Sequence, residues 1–217
     1  MGVGITTVGQ GLYQELGLPI PPEKVQEPTP ILIYGASTAT GTLAVQYAKL
    51  SGCEVIATAS PHNFDFVHKL GADQVFDYKD PECGAKIRKA TNDKLKLVFD
   101  CIAEGNSSDI VAAAISSSGG HCSMLLQVKN FPRSDVKTKF TFGYTALGEK
   151  HSDKVPASQT DYEFGCKFWR LAEDLINSKK IKTHPVKVHN GLEGVPQGLN
   201  DLKDGKVSGV KLVYKVE

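Results

Sequence analysis

The segment Ile31-Leu-Ile-Tyr-Gly-Ala-Ser-Thr-Ala-Thr-Gly-Thr42 constrains this chain more than any other. Ile31 to Tyr34 is a short apolar run with β-branched residues, which predicts a buried strand. Small residues from Gly35 to Gly41 predict a tight turn. Leu43, Val45, Gln46, Tyr47 and Leu50 follow at helical spacing, and Gly52 stands just past the last turn, where helices end. Strand, tight turn and helix in that order put free backbone N–H groups and the positive end of a helix dipole against a phosphate. The pattern is not a full G-x-G-x-x-G, because Thr38, Ala39 and Thr40 stand where other such loops carry glycine. The hydroxyls of Ser37, Thr38 and Thr40 can make up part of the difference by donating to phosphate oxygens. No lysine follows Gly41, so the stretch is not a P-loop. Taken by itself, it is also compatible with an ordinary turn between a strand and a helix.

The next strand, Glu54-Val-Ile-Ala-Thr58, narrows the choice. A site for NAD usually carries an Asp or Glu at the end of this strand to accept from the ribose 2′-hydroxyl. Here the place reads Ala59-Ser-Pro-His-Asn63 and holds no acid. A carboxylate would repel a 2′-phosphate, whereas Ser60, His62 and Asn63 can all donate to one. Two charge-assisted bonds at about 1.5–3 kcal/mol each would favour NADP(H) over NAD(H) by on the order of a hundred-fold or more. Ser60-Pro61 also reads as a helix start, with serine at the cap and proline in the first turn. The two readings are compatible.

The alternation continues. Strands are expected at 31–34, 54–58, 74–77, 95–100 and 120–125, with helices at 40–51, 62–70, 81–91 and 106–116 between them. This predicts an α/β fold, a doubly wound parallel sheet with helices on both faces. Ligands of such sheets bind outside the carboxyl ends of the strands. Positions 35–41, 59–63, 78, 101–103 and 125–126 all fall there. Cys101 ends the fourth strand and reads as a small packed side chain rather than a nucleophile. His121 reads as structural.

Before the first strand, residues 5–16 predict a helix with Leu12 and Leu16 on one face. Gly9-Gln-Gly11 in it has no strand ahead of it, so its glycines serve close packing and not phosphate binding. Pro19 to Pro30 reads as a linker or surface loop. After the sheet, residues 127–158 are irregular, with a short strand near 137–142. Thr160-Asp-Tyr-Glu163 reads as a capping box ahead of an amphipathic helix bearing Phe164, Phe168, Leu171, Leu175 and Ile176. Strand 184–189, helix 194–204 and strand 209–216 close the chain.

A length of 217 residues accommodates one substantial α/β domain, or one domain and a remnant. The formal net charge of +1 provides no electrostatic footprint for nucleic acid or membrane. The five cysteines include no C-x-x-C pair and suit a reducing, cytoplasmic setting, and no zinc-ligand spacing is present. Met1-Gly-Val-Gly does not resemble a signal peptide, and no window approaches a membrane span. Asn106-Ser-Ser108 fits a glycosylation sequon but reads as a helix cap.

Gly-Ala-Ser-Thr-Ala-Thr-Gly at 35–41, Ser-Pro-His-Asn-Phe-Asp at 60–65, Lys-Leu-Gly-Ala-Asp at 69–73, Val-Phe-Asp-Tyr at 75–78 and Gly-Gly-His at 119–121 resemble the medium-chain dehydrogenase/reductase superfamily. Within it they resemble the fungal trans-acting enoyl reductases of the lovastatin enoyl reductase type, which partner polyketide synthases. The resemblance covers nearly the whole chain. It implies a Rossmann-type domain, NADPH, and hydride transfer to an activated carbon–carbon double bond of a small-molecule or carrier-bound enoyl substrate. By matching motifs it implies that Ser37, Thr38, Ala39 and Thr40 hold the pyrophosphate. Ser60, His62 and Asn63 would hold the 2′-phosphate, with Tyr78 beside the adenosine end. Leu125 and Leu126 would lie near the nicotinamide, as would Gly143-Tyr-Thr-Ala-Leu147 near nicotinamide and substrate. Thr7 matches a threonine close to the reaction, with Thr6 adjacent to it.

The superfamily also carries a GroES-like catalytic domain ahead of the first helix, to which nothing in this sequence corresponds. The expected layout is a connecting helix at 1–18, an NADP-binding Rossmann domain at 19–158, and a C-terminal helix and strands at 159–217 that normally join the GroES-like domain. That implies an exposed edge or apolar face near 184–189 and 209–216, which self-association could cover. A non-catalytic NADPH-binding or interaction protein and a quinone oxidoreductase are the alternative functions.

Overall fold

The computed structural model describes residues 2–216. Met1 and Glu217, the outermost residues of the expected first and last units, lie outside the described residues. Strands β1 (Pro30–Tyr34), β2 (Glu54–Ala59), β3 (Gln74–Asp77), β4 (Leu97–Asp100), β5 (Gly120–Met124) and β6 (Val136–Phe140) form one sheet in the order β3-β2-β1-β4-β5-β6. Every neighbouring pair is parallel. The chain winds outward from β1 to β3, then returns to β4 on the other side of β1. This is the doubly wound Rossmann order, and the crevice it creates lies beyond Tyr34 and Asp100 at the strand ends.

The apolar run of β1 has a direct structural cause. Alternate side chains point to opposite faces of a strand. Ile31 and Ile33 enter a core shared with α1 (Gly2–Val8), α2 (Ala39–Leu50) and α6 (Gln159–Asn177). Leu32 and Tyr34 enter the other layer, with α4 (Cys83–Ala90) and α5 (Ser107–Ala114). All four are buried. A short helix α3 (Phe64–Lys69) connects β2 to β3.

The first helix differs from its sequence reading. It begins at Gly2, and its second half, Gly9–Glu15, winds as a π-helix with Leu16 N donating to Gly11 O at 3.0 Å. Gly9 and Gly11 do serve packing. A Cβ on Gly9 would stand 2.6 Å from the Phe168 ring, and one on Gly11 would stand 2.3 Å from the Phe99 ring. Phe168 also packs 5.3 Å from Tyr13 and 5.1 Å from Tyr47, ring centre to ring centre.

Residues 159–217 hold elements in two different surroundings. Helix α6 buries Phe168, Ala172 and Leu175 in the same core as α2. By contrast, β7 (Val186–Asn190) and β8 (Lys211–Lys215) form a separate two-stranded parallel sheet around α7 (Val195–Lys203). Val186, Val188 and Val213 are exposed there, within the ranges where the sequence reading expects an exposed face, and Leu199 and Leu202 of α7 are exposed as well. The cap of α6 is a correction: Ser158, not Thr160, accepts from Asp161 N at 3.2 Å, and Thr160 lies inside the helix. Asn106 stands at the cap of α5, but its side chain makes no capping bond.

Two arginines meet the turn after α5, Arg88 through Nη2 to Ala112 O at 3.1 Å and Arg133 more extensively. Arg133 Nη1 donates to Ala112 O at 3.2 Å and Ile115 O at 3.1 Å, and Nη2 donates to Ser116 O at 2.9 Å. Ala112 O and Ile115 O are carbonyls that the end of α5 leaves unpaired, while Ser116 O also accepts from Gly119 N at 3.0 Å. Arg133→Ala is expected to lower the unfolding free energy by about 2 kcal/mol in urea titration. Arg133→Lys should recover only part, since an ammonium cannot present the same fork of donors. An unchanged midpoint in the alanine variant would remove the capping role.

Candidate functional site

A cavity of about 620 Å³ opens at the carboxyl ends of β1 to β4. The turn after β1 contributes Gly35, Ser37, Thr38 and Ala39. Ala59 and Ser60 come from the end of β2, Tyr78 from β3, and Ile102, Glu104 and Asn106 from the segment after β4. The opposite wall is His184, Leu202 and the segment Val207–Leu212.

The turn is built by backbone constraints. Gly35 has a φ of +77°, open to glycine at little cost, and a Cβ there would meet Ile102 at 2.7 Å. Its amide donates to Thr58 Oγ1 at 3.0 Å, and Ala36 N donates to Thr58 O at 2.9 Å. Thr38 caps α2: its hydroxyl accepts from Gly41 N at 3.0 Å. The amides of Ala39 and Thr40 open the helix and have no carbonyl of that helix to bond. Gly41 packs where the helix crosses the turn, so a Cβ on it would lie 2.3 Å from Gly35 O and 2.8 Å from Ala36 Cα.

At the end of β2 the donors converge. Ser60 Oγ donates to Tyr78 Oη at 3.3 Å. His62 Nε2 lies 2.9 Å from Ser208 Oγ, and Asn63 Nδ2 donates to the same oxygen at 2.8 Å. Two of the residues assigned to a 2′-phosphate therefore aim nitrogens at a single oxygen.

Asp100 fixes the neighbouring turn. Its Oδ1 accepts from Ile102 N and Ala103 N, both at 2.9 Å, and Ala103 takes a left-handed φ of +54°. Burial pushes the Asp100 carboxyl above the ordinary range. Burial likewise pushes the Cys101 thiol well up, which matches a packed rather than a nucleophilic side chain. His121 pairs with Glu15 at 2.7 Å, a structural contact behind β5.

Ser37, Thr38, Ala39, Ser60 and Tyr78 share the cavity. Thr40 does not line it; its hydroxyl lies 4.0 Å from a Cβ built on Gly4 of α1. Leu125 and Leu126 follow β5, also outside the cavity lining, with Leu125 N donating to Asp100 O at 3.2 Å and Leu126 exposed. Thr7 is buried and faces the 143–147 stretch, since a Cβ on Gly143 would stand 2.9 Å from Thr7 Oγ1. Thr6 faces outward and accepts from Trp169 Nε1 at 3.1 Å. The two threonines are thus told apart by environment.

The wall formed by His184 and residues 207–212 is absent from the sequence reading. Only the small pair Ser208-Gly209, ahead of a strand, hints at a close backbone approach. Among the described residues no group of three His, Cys, Asp or Glu side chains converges as metal ligands. Also among the described residues, no helix is long and apolar enough to cross a membrane.

The sequence profile of the family described as "Zinc-binding dehydrogenase" matches residues 39–125. A trans-enoyl reductase of Alternaria alternata is 65% identical over 218 residues, covering 100% of this chain and 64% of the relative. The enoyl reductase component of lovastatin nonaketide synthase from Aspergillus terreus is 36% identical, covering 99% of this chain and 62% of its own length. The chain therefore spans a little under two thirds of these relatives. Among solved structures, the CurK enoyl reductase superposes with a TM-score of 0.75 at 18% identity, over 98% of this chain and 60% of that one. CurA in complex with NADPH from Vibrio vulnificus superposes with a TM-score of 0.69 at 18% identity, over 98% of this chain and 62% of that one. At these identities the structural likeness speaks for the fold.

Proposed function

Because the chain belongs to the medium-chain dehydrogenase/reductase superfamily, in the group of the fungal trans-enoyl reductases, we propose that it is the NADPH-binding portion of an enoyl reductase. The observation that carries this reading is the cavity in which Ser37, Thr38 and Ala39 meet Ser60 and Tyr78 at the strand ends. Its glycines fit the group. Gly35 and Gly41 let the backbone turn close enough for helix α2 to present its first amides to a pyrophosphate.

In this reading NADPH, when bound, supplies a hydride to the β-carbon of an α,β-unsaturated thioester, whose α-carbon then takes a proton. The chain's part is to bind and orient. Ser37, Thr38, Ala39 and Thr40 hold the pyrophosphate, and Ser60, His62 and Asn63 hold the 2′-phosphate, with Tyr78 beside the adenosine. Leu125 and Leu126 flank the nicotinamide. Thr7, next to Gly143, stands on the substrate side. Residues 1–18 connect, 19–158 bind the cofactor, and 159–217 include the segment that returns toward a catalytic domain. A carrier-bound enoyl thioester of a polyketide synthase is the substrate class, and the cytoplasm the setting.

The test is NADPH consumption, followed by absorbance, with and without a crotonyl thioester. Thioester-dependent consumption supports the reading. Binding of NADPH without consumption would select the alternative, a chain that holds the cofactor without turnover.

A further inference from the structure

His184 lies between α6 and β7, and its ring lines the cavity opposite the turn after β1. Its backbone is pinned from α2. Gln46 Nε2 donates to Lys182 O at 3.0 Å, and Lys182 N donates to Gln46 Oε1 at 2.7 Å. The ring itself meets the first turn of α2, where His184 Nδ1 stands 3.1 Å from Thr42 Oγ1.

Thr42 Oγ1 also lies 3.1 Å from Ala39 O, which can only accept. Both contacts are hydrogen bonds together in one arrangement: the Thr42 hydroxyl donates to Ala39 O, and the His184 ring carries its proton on Nδ1. In the neutral ring, Nε2 is then a lone-pair nitrogen and cannot donate to a phosphate.

The surroundings favour the neutral ring before a ligand arrives. Burial lowers the affinity of His184 for a second proton, and Lys211 on β8 lowers it further. Phe66 of α3 packs edge-on at 6.4 Å and carries no charge, as does Thr42 of α2. Across the cavity, Glu104 is the one carboxylate of the lining and Lys211 the one lysine. With His184 neutral the lining carries no excess positive charge, although the proposed ligand is strongly anionic.

Resting on the cofactor reading above, we propose that His184 is a further ligand of the dinucleotide phosphates and takes up a proton at Nε2 when the dinucleotide enters the cavity. The proton comes from solvent, one N–H bond forms, and no bond in the ligand changes. An anion within about 4–6 Å favours the charged imidazole. Binding is then linked to pH with a definite sign. Below the titration point of the free protein the affinity is constant. Between the free and bound titration points it weakens about ten-fold for each pH unit upward.

The direct test follows the His184 ring by NMR through a pH titration of the full chain, without and with saturating NADPH. The six histidines are separated by the loss of one signal in His184→Gln, with His184→Asn as the second variant should the first fail to fold. The expected result is a titration below about 6.5 in the free protein and a rise of at least about one unit with NADPH, equal to about a ten-fold coupling. Proton uptake on binding should fall in the His184 variant, and the His184 titration shift should persist in His62→Gln. NADPH binding that leaves the His184 titration in place would overturn the proposal while the cofactor reading stands. Uptake lost in His62→Gln and kept in the His184 variant would overturn it in favour of His62. No NADPH binding at any pH would overturn both.

Discussion

A chain carrying Gly41→Ala is expected to lose about 3 kcal/mol of stability and, with it, its affinity for a dinucleotide. The added methyl would stand 2.3 Å from Gly35 O, 2.8 Å from Ala36 Cα and 3.0 Å from Ala36 C. All three are backbone atoms, so no side chain can swing aside. Relief requires that α2 lift off the turn after β1. That movement withdraws the Gly41 amide from Thr38 Oγ1 and carries the helix N-terminus away from the cavity. The control is Gly2→Ala, where a Cβ meets nothing within 4 Å, and which should stay within about 0.5 kcal/mol of the parent. Urea unfolding of both variants checks this, and a Gly41→Ala midpoint equal to that of Gly2→Ala would refute the packing argument.

The second large effect is on cofactor choice. Ser60→Asp places a carboxylate beside Tyr78 and next to His62 and Asn63. It would repel a 2′-phosphate and could instead accept from a ribose 2′-hydroxyl. NADPH affinity is expected to fall by about a hundred-fold, the equivalent of two charge-assisted bonds, while NADH affinity holds or improves. Ser60→Ala should cost NADPH about ten-fold or somewhat more, since it removes one charge-assisted bond without adding a repelling charge. Equal losses for both cofactors in Ser60→Asp would mean that the 2′-phosphate is bound elsewhere.

The parallel sheet was legible because its central strand is buried on both faces, which turns Ile31–Tyr34 into an unbroken apolar run. The turn was legible because close approach demands small residues, and Gly35 and Gly41 meet that demand within a few ångströms. The cap of α6 was not, for a simple reason. Ser158 precedes Asp161 by three residues, as Thr160 precedes Glu163, and a local pattern cannot rank two caps in equivalent phase. The π-helical half of the first helix was equally hidden. Its apolar spacing reads as an ordinary helix, and only the rings of Phe99 and Phe168 against Gly11 and Gly9 reveal the packing involved.

The second wall of the cavity lies furthest from sequence reading. His184 reaches Thr42 across 142 positions, and Ser208 reaches Asn63 across 145. Neither contact leaves a periodic trace. The same distance explains why the site splits as it does. Ser37, Thr38, Ala39, Ser60 and Tyr78 belong to strand ends and come together in the cavity. Thr7 comes from the first helix, outside the cavity lining, and stands against Gly143.

The measurement that tests the account most directly is a fluorescence titration of the 217-residue chain with NADPH and, separately, with NADH. The account predicts saturable binding of NADPH and NADH binding weaker by on the order of a hundred-fold. Equal affinities would contradict the assignment of Ser60, His62 and Asn63, and no binding of either would contradict the cavity as a nicotinamide site in this chain.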